Sequence, residues 1–383
     1  MEGFLSALLQ DLERRCGILR DRLAALQSDP DVRDHALGAY RVVEGVRRDV
    51  SQLLGDASLR ESALLRNHLH LYKRWNELAT LVESYPLPFV ERYAEPDRRL
   101  TALCRRLTEQ VAWPLPPPLV GAFSSQYYWT SAPFNLICAP AAETDTLLSL
   151  PDLCHELGHV LLVQHEAAIA GDFFEELAEY VDSERRRVQT EQRPPEYGTL
   201  YDALFAQWRD AWVREFLSDM VATYLIGPAF GWQHVRLCAG GARAAYHPTL
   251  GEMADHPADE ARLRGVAAVL VQMDASNSAD DVRALWEPYL QTSGEGRPAD
   301  YEVCYPQHLL ESLARRAGDG CRALGLRRFD EGRSSASIDL RSLIHEGWER
   351  FLADPQAFIA WELTQLTQVW RELGLVTLEE TDT

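Results

Sequence analysis

The residues with the clearest chemical meaning are His155-Glu156-Leu157-Gly158-His159. On a helix, positions i and i+4 share one face, about one turn apart. Two imidazoles so placed reach one Zn²⁺ at about 2.0–2.1 Å. The glutamate after the first histidine then serves as general base toward a metal-activated water, the chemistry of peptide-bond hydrolysis. The flanking sequence predicts the helix. Ser149 and Asp152 read as a capping box, Pro151 suits a first turn, and Leu153, Leu157, Val160 and Leu161 supply a buried side. Gly158 costs a helix about 1 kcal/mol relative to alanine, so its presence predicts a second backbone passing close by.

A catalytic zinc takes three protein ligands and keeps a fourth position for water. Glu215 is the best third ligand. It lies on an apolar stretch with Trp212, Phe216, Leu217 and Met220, where a carboxylate needs a partner. Asp219, one turn on, is placed to accept the other ring N–H of His155 and fix its tautomer. Glu175, Glu176 and Glu179 compete for the third position, but none has an aspartate four residues later. A further segment, His256-Pro257-Ala258-Asp259-Glu260-Ala261-Arg262, follows a loop opened by His247-Pro248. With Pro257 in a helix's first turn, His256 is aimed as a donor toward a developing oxyanion. Arg262 points back toward a carboxylate, with Asp219 the candidate.

HExxH followed by ExxxD on a later helix resembles the gluzincin zinc metallopeptidases. The HPxxxxR segment is similar to the CAAX prenyl endopeptidase and HtpX-like branch. The resemblance covers about residues 120–275. It implies a zincin-like core, Zn²⁺ as cofactor, His155, His159 and Glu215 as ligands, and Glu156 and His256 as catalytic groups. Asp219 and Arg262 would brace the ligands. That branch is built on membrane helices and this sequence has none, so its lipidated substrates are not implied.

The elements that must position these residues read as mainly α, within an α+β class. Residues 1–112 form an N-terminal helical bundle, with Leu5, Leu8, Leu12, Cys16, Leu19, Leu23 and Leu26 recurring every three or four positions and a break at Asp29-Pro30. Leu64, Leu65, Leu71, Trp75, Leu78 and Val82 mark a further helix. The proline run 114–118 is the clearest boundary signal. The metallopeptidase core, 113–275, opens with short runs at 127–130 and 134–138 that read as strands of a small β-sheet. The strand at 134–139 is expected to be the edge that pairs with a peptide substrate. Residues 276–383 are a C-terminal helical region, including helices near 337–352 and 355–373.

The net charge of −20 argues against nucleic acid or an anionic membrane surface as partner. No apolar stretch is long enough for a membrane span. The start of the chain lacks a positive leader, and the seven cysteines are scattered, which together predict reduced thiols in the cytoplasm. Cys154 reads as a buried thiol rather than a nucleophile, and His165-Glu166 as a solvated tail of the active-site helix. The partner expected is a peptide or protein substrate. Two other classes fit the same sequence: an inactive zincin-fold binding module, and a helical scaffold with a fortuitous HExxH.

Overall fold

The computed structural model describes residues 2–124, 127–143, 145–194, 196–241, 244–331 and 338–375. Among these the chain is mainly helical, with one three-stranded sheet. Five helices come first: α1 (Glu2–Leu26), α2 (Arg33–Gly55), α3 (Leu65–Ser84), α4 (Pro86–Glu91) and α5 (Glu95–Gln110). The strands follow: β1 (Leu119–Ser124), β2 (Trp129–Ser131) and β3 (Leu136–Pro140). Next come α6 (Leu150–Ala170), α7 (Phe173–Thr190), α8 (Glu196–Gln207), α9 (Val213–Ile226), α10 (Pro228–Gly240) and α11 (Asp259–Gln272). The C-terminal part holds α12 (Ser276–Ser293), α13 (Tyr301–Cys304), α14 (Gln307–Ala323), α15 (Leu340–Ala353) and α16 (Pro355–Glu372). No helix is long and apolar enough to cross a membrane among the described residues.

The first helices form largely as their periodicity dictates. Leu5, Leu9, Leu12, Cys16, Leu19 and Leu23 of α1 are buried, as are Ala36, Ala39, Val43, Val46 and Val50 of α2, with Leu9 rather than the expected Leu8 facing inward and Leu26 only half-buried. In α3 the apolar run is less informative. Leu71 is exposed, and the buried stripe is His68, Ala79 and Val82. The hydrophobic interior has two parts. One gathers α1 to α4, and the other runs from Leu100 of α5 through the rest of the chain.

The sheet lies between those two parts. Successive strand residues point to opposite faces. Leu119, Leu136 and Cys138 pack with the N-terminal helices, while Val120, Ile137 and Ala139 pack with the larger interior. The strand order is β1-β3-β2, β1 parallel to β3 and β2 antiparallel to it. This corrects the expected substrate edge: β3, at 136–140, is the buried centre of the sheet, and the edge beside α6 is β2. The outer edge of β1 is covered by α5. Thr101 Oγ1 accepts the Val120 N–H at 3.0 Å, and Asp97 Oδ1 accepts the Ala122 N–H at 2.7 Å. Side chains so placed do for an edge what another strand would do.

α6 and α9 cross where α6 has no side chain. A Cβ on Gly158 would sit 2.7 Å from Ser218 Cα, so the two backbones touch there. That approach sets His155 and His159 opposite Glu215 and Asp219, which flank Ser218 on α9. α9 itself emerges from a π-helical turn, Trp208–Trp212, a local widening that sequence periodicity does not reveal. The turn seats two indoles in the core. Trp208 Nε1–H donates to Cys304 O and Trp212 Nε1–H to Ala254 O, both at 2.9 Å. Trp208 stacks on Phe216, and Trp212 on Tyr305.

The expected capping box does not form. Ser149 has helical dihedrals, and its hydroxyl donates to the carbonyls of Glu143 and Thr146. Asp152 turns inward to Tyr127 and Gln233. Pro257 also differs from expectation. α11 begins at Asp259, so Pro257 lies just outside the helix rather than in its first turn.

Candidate metal centre and cleft

α6 and α9 bring His155, His159 and Glu215 together. The two Nε2 atoms are 3.1 Å apart. Glu215 Oε2 lies 3.6 Å from His155 Nε2, and Oε1 lies 3.4 Å from His159 Nε2. A tetrahedral ion with ligands at about 2.0–2.1 Å has donor–donor edges of about 3.3–3.4 Å. The spacings are near that edge length, although the two histidines approach different oxygens of Glu215, and one ligand atom from each residue lies within 4.8 Å of the others. Glu215 Oε2 is buried without a hydrogen bond, with His155 Nε2 and His256 Nε2 at 3.6 and 3.5 Å, a state that a bound cation would relieve. The group fits a small divalent cation.

Behind the ligands lies a chain of charge. Asp219 Oδ1 is 2.8 Å from His155 Nδ1, close but not aligned as an ideal N–H···O bond. Arg262 closes on Asp219 with both arms, Nε–H to Oδ2 at 2.7 Å and Nη2–H to Oδ1 at 2.6 Å. Burial opposes the Asp219 charge, but the Arg262 charge and hydrogen bonds and those of His155 hold its carboxyl far below the ordinary range. Burial likewise disfavours charge on His155, yet Asp219 and Glu215 together raise it. His159 behaves oppositely. Burial and the neighbouring His155 lower it to about 4, the neutral form that ligates metal.

Glu156 lies beside the ligands, not among them. Burial pushes its carboxyl up to about 7, against the pull of His155 and Thr130. Thr130 Oγ1–H donates to Oε2 at 2.5 Å, tying the Glu156 carboxylate to β2. Two pockets meet over this group. One of about 340 Å³ is lined by Tyr127, Asp152, Phe230 and Arg262 among others. One of about 650 Å³ is lined by Trp129, Thr130, Val163 and Arg214 among others. Tyr128, His155, Glu156 and His256 line both, so the cleft passes over the centre.

His256 stands at that junction, half-exposed, with Nε2 3.5 Å from Glu215 Oε2. Its loop is tied to the core. Tyr305 Oη–H donates to Pro248 O at 2.9 Å, and the same oxygen accepts the Ala258 N–H at 3.1 Å. Glu176 is elsewhere: it accepts from Ser312 and Arg316 on α14. Cys154 is buried, and desolvation raises its thiol well above the ordinary range, as expected of a packing residue. His165 is half-buried at the far end of α6 rather than fully solvated, and the adjoining Glu166 pairs with Arg214. Sequence reasoning missed Thr130, Tyr127 and Gln233. It also missed a second group of metal-competent side chains, His234, Cys238 and Asp259, which comes together across α10 and α11. Only the i,i+4 spacing of His234 and Cys238 signalled it.

No protein-family model, curated protein or solved structure matches the chain.

Proposed function

We propose that the chain is a zinc-dependent metallopeptidase with a gluzincin-like centre, acting on extended peptide or protein segments. The observation that carries this reading is the convergence of His155, His159 and Glu215, one ligand atom from each within 4.8 Å of the others, with the Glu156 carboxyl beside them in an open cleft. Zn²⁺ bound there supplies a Lewis acid for the scissile carbonyl and a nucleophilic water at neutral pH.

The chain's own groups do the remaining work. Glu156 takes a proton from the attacking water and returns it to the leaving nitrogen. A carboxyl held near 7 suits both transfers. The Thr130 hydroxyl fixes one Glu156 oxygen and leaves the other for water. His256 donates toward the carbonyl oxygen as the carbon becomes tetrahedral. Asp219 orients His155, and Arg262 holds Asp219 in place. β2 offers an extended peptide an edge along the cleft.

The test is Glu156→Gln, read by metal analysis and by cleavage of a peptide library. We expect full zinc content and a loss of about 10²–10⁴-fold in turnover. Cleavage at the wild-type rate would remove Glu156 as the base. A folded, zinc-loaded wild type that cleaves nothing in the library would make the centre a binding module.

A further inference from the structure

We infer that His234, Cys238 and Asp259 form a second metal site, for a borderline-soft divalent cation such as Zn²⁺ or Cd²⁺, in the wall of the cleft. His234 and Cys238 are i and i+4 on α10, so helix geometry puts both donors on one face. Asp259 opens α11 and meets them from across the gap. One ligand atom from each lies within 4.8 Å of the others.

The independent sign of a missing ligand is His234. The side chain is 2% exposed, and its Nε2 is buried without a hydrogen-bond partner. The nearest carboxylate oxygen, Asp259 Oδ1, is 3.5 Å away, beyond a good hydrogen bond but a reasonable donor–donor edge around a cation. A buried imidazole nitrogen without a hydrogen bond is costly, and the Arg262 guanidinium, whose charge reaches Asp259 and Cys238, spends its hydrogen bonds on Asp219. Ligation by Cys238 releases the thiol proton to solvent, and the cation then neutralises both thiolate and carboxylate.

The donor set selects the ion. Imidazole and thiolate disfavour Mg²⁺ and Ca²⁺, which want oxygen alone, and favour Zn²⁺ or Cd²⁺. The three donors border the smaller pocket, so ion entry does not require unfolding. The site is separate from the first centre. The two sites share no ligand, and the Phe230 ring packs against an imidazole of each, parallel to His155 at 6.1 Å between centroids and inclined 29° to His234 at 6.3 Å. The second site does not depend on the proposed peptidase activity.

The experiment is a Co²⁺ titration of the metal-stripped full chain, followed by absorbance. A thiolate ligand gives an intense near-ultraviolet charge-transfer band, whereas a His-His-Glu centre gives none. We expect that band in the wild type at one equivalent beyond the first centre. We expect it to survive Glu215→Ala and to vanish in Cys238→Ser, which keeps one equivalent. In the unmutated chain, Zn²⁺ should slow alkylation of Cys238 more than that of the other cysteines, as mapped by peptide mass. This readout stands even if Cys238→Ser misfolds. No thiolate band in the wild type, or equal protection of all cysteines, overturns the site. Loss of the first equivalent alone, with the band intact, would count against the peptidase centre and leave this one standing.

Discussion

The two groups of metal-competent side chains share a plan and differ in what surrounds it. Each takes two donors at i and i+4 from one helix, His155/His159 on α6 and His234/Cys238 on α10. Each takes a carboxylate from the first turn of another helix, Glu215 on α9 and Asp259 on α11. The residue after the first histidine separates them. On α6 it is Glu156, a carboxyl that burial pushes up to about 7. On α10 it is Val235, a buried aliphatic. The centre on α6 faces both pockets, while that on α10 borders one. Helix spacing alone provides a clamp for a cation. A reaction centre also needs a base beside the clamp and an open path on both sides.

The comparison can be broken most directly at Glu215. Glu215→Ala should abolish tight zinc binding at the first centre and leave the thiolate-bearing one intact. Glu176→Ala should change neither, because Glu176 is engaged with Ser312 and Arg316. Zinc titration of both variants decides it, and equal losses would leave the third ligand unassigned. Next in size is Asp219→Ala. Removing this carboxylate strips Arg262 of its buried partner, so it should cost about 3–5 kcal/mol of stability in denaturant unfolding. The loss of His155 orientation should lower zinc affinity about 10–100-fold as well. A variant with wild-type stability would mean that Arg262 has another partner in solution.

His256→Ala should lower kcat about 10²–10³-fold, with zinc content and KM nearly unchanged, the mark of a donor used only in the transition state. If the variant loses zinc instead, His256 is a ligand. The smallest effect tests the crossing that builds the first centre. Gly158→Ala should lower stability by about 1–3 kcal/mol by forcing α6 from Ser218. Gly38→Ala on α2, with nothing within 4 Å of the added methyl, should raise it by about 0.5–1 kcal/mol. Thermal melts of the two variants shifting in the same direction would contradict this crossing.

Much of the first centre was legible because its signal is local. HExxH is a five-residue word. Glu215 and Asp219 stood out as carboxylates on an apolar helix, and Gly158 announced the backbone that crosses it. What stayed hidden depends on partners far away in sequence. Asp152 looked like half of a capping box, but Gln233 and Tyr127 draw it inward. β3 looked like an edge because nothing in its own residues tells that β1, seventeen positions earlier by register, pairs on its other side. The π turn at 208–212 hides for a different reason: both of its tryptophans suit an ordinary helix, and their carbonyl partners, at Cys304 and Ala254, are far away in sequence. His234, Cys238 and Asp259 form no word at all.

One phenol oxygen has a wider consequence. Tyr305 grips the chain at Pro248 and again at Ala258, so the span between is a noose knotted in the core. Trp212 takes up slack at Ala254. His256 hangs two residues from the knot. On the peptidase reading proposed above, a span held at both ends and near its middle favours a fixed gauge over a closing jaw, and what the cleft admits would be set by how readily the visiting chain straightens.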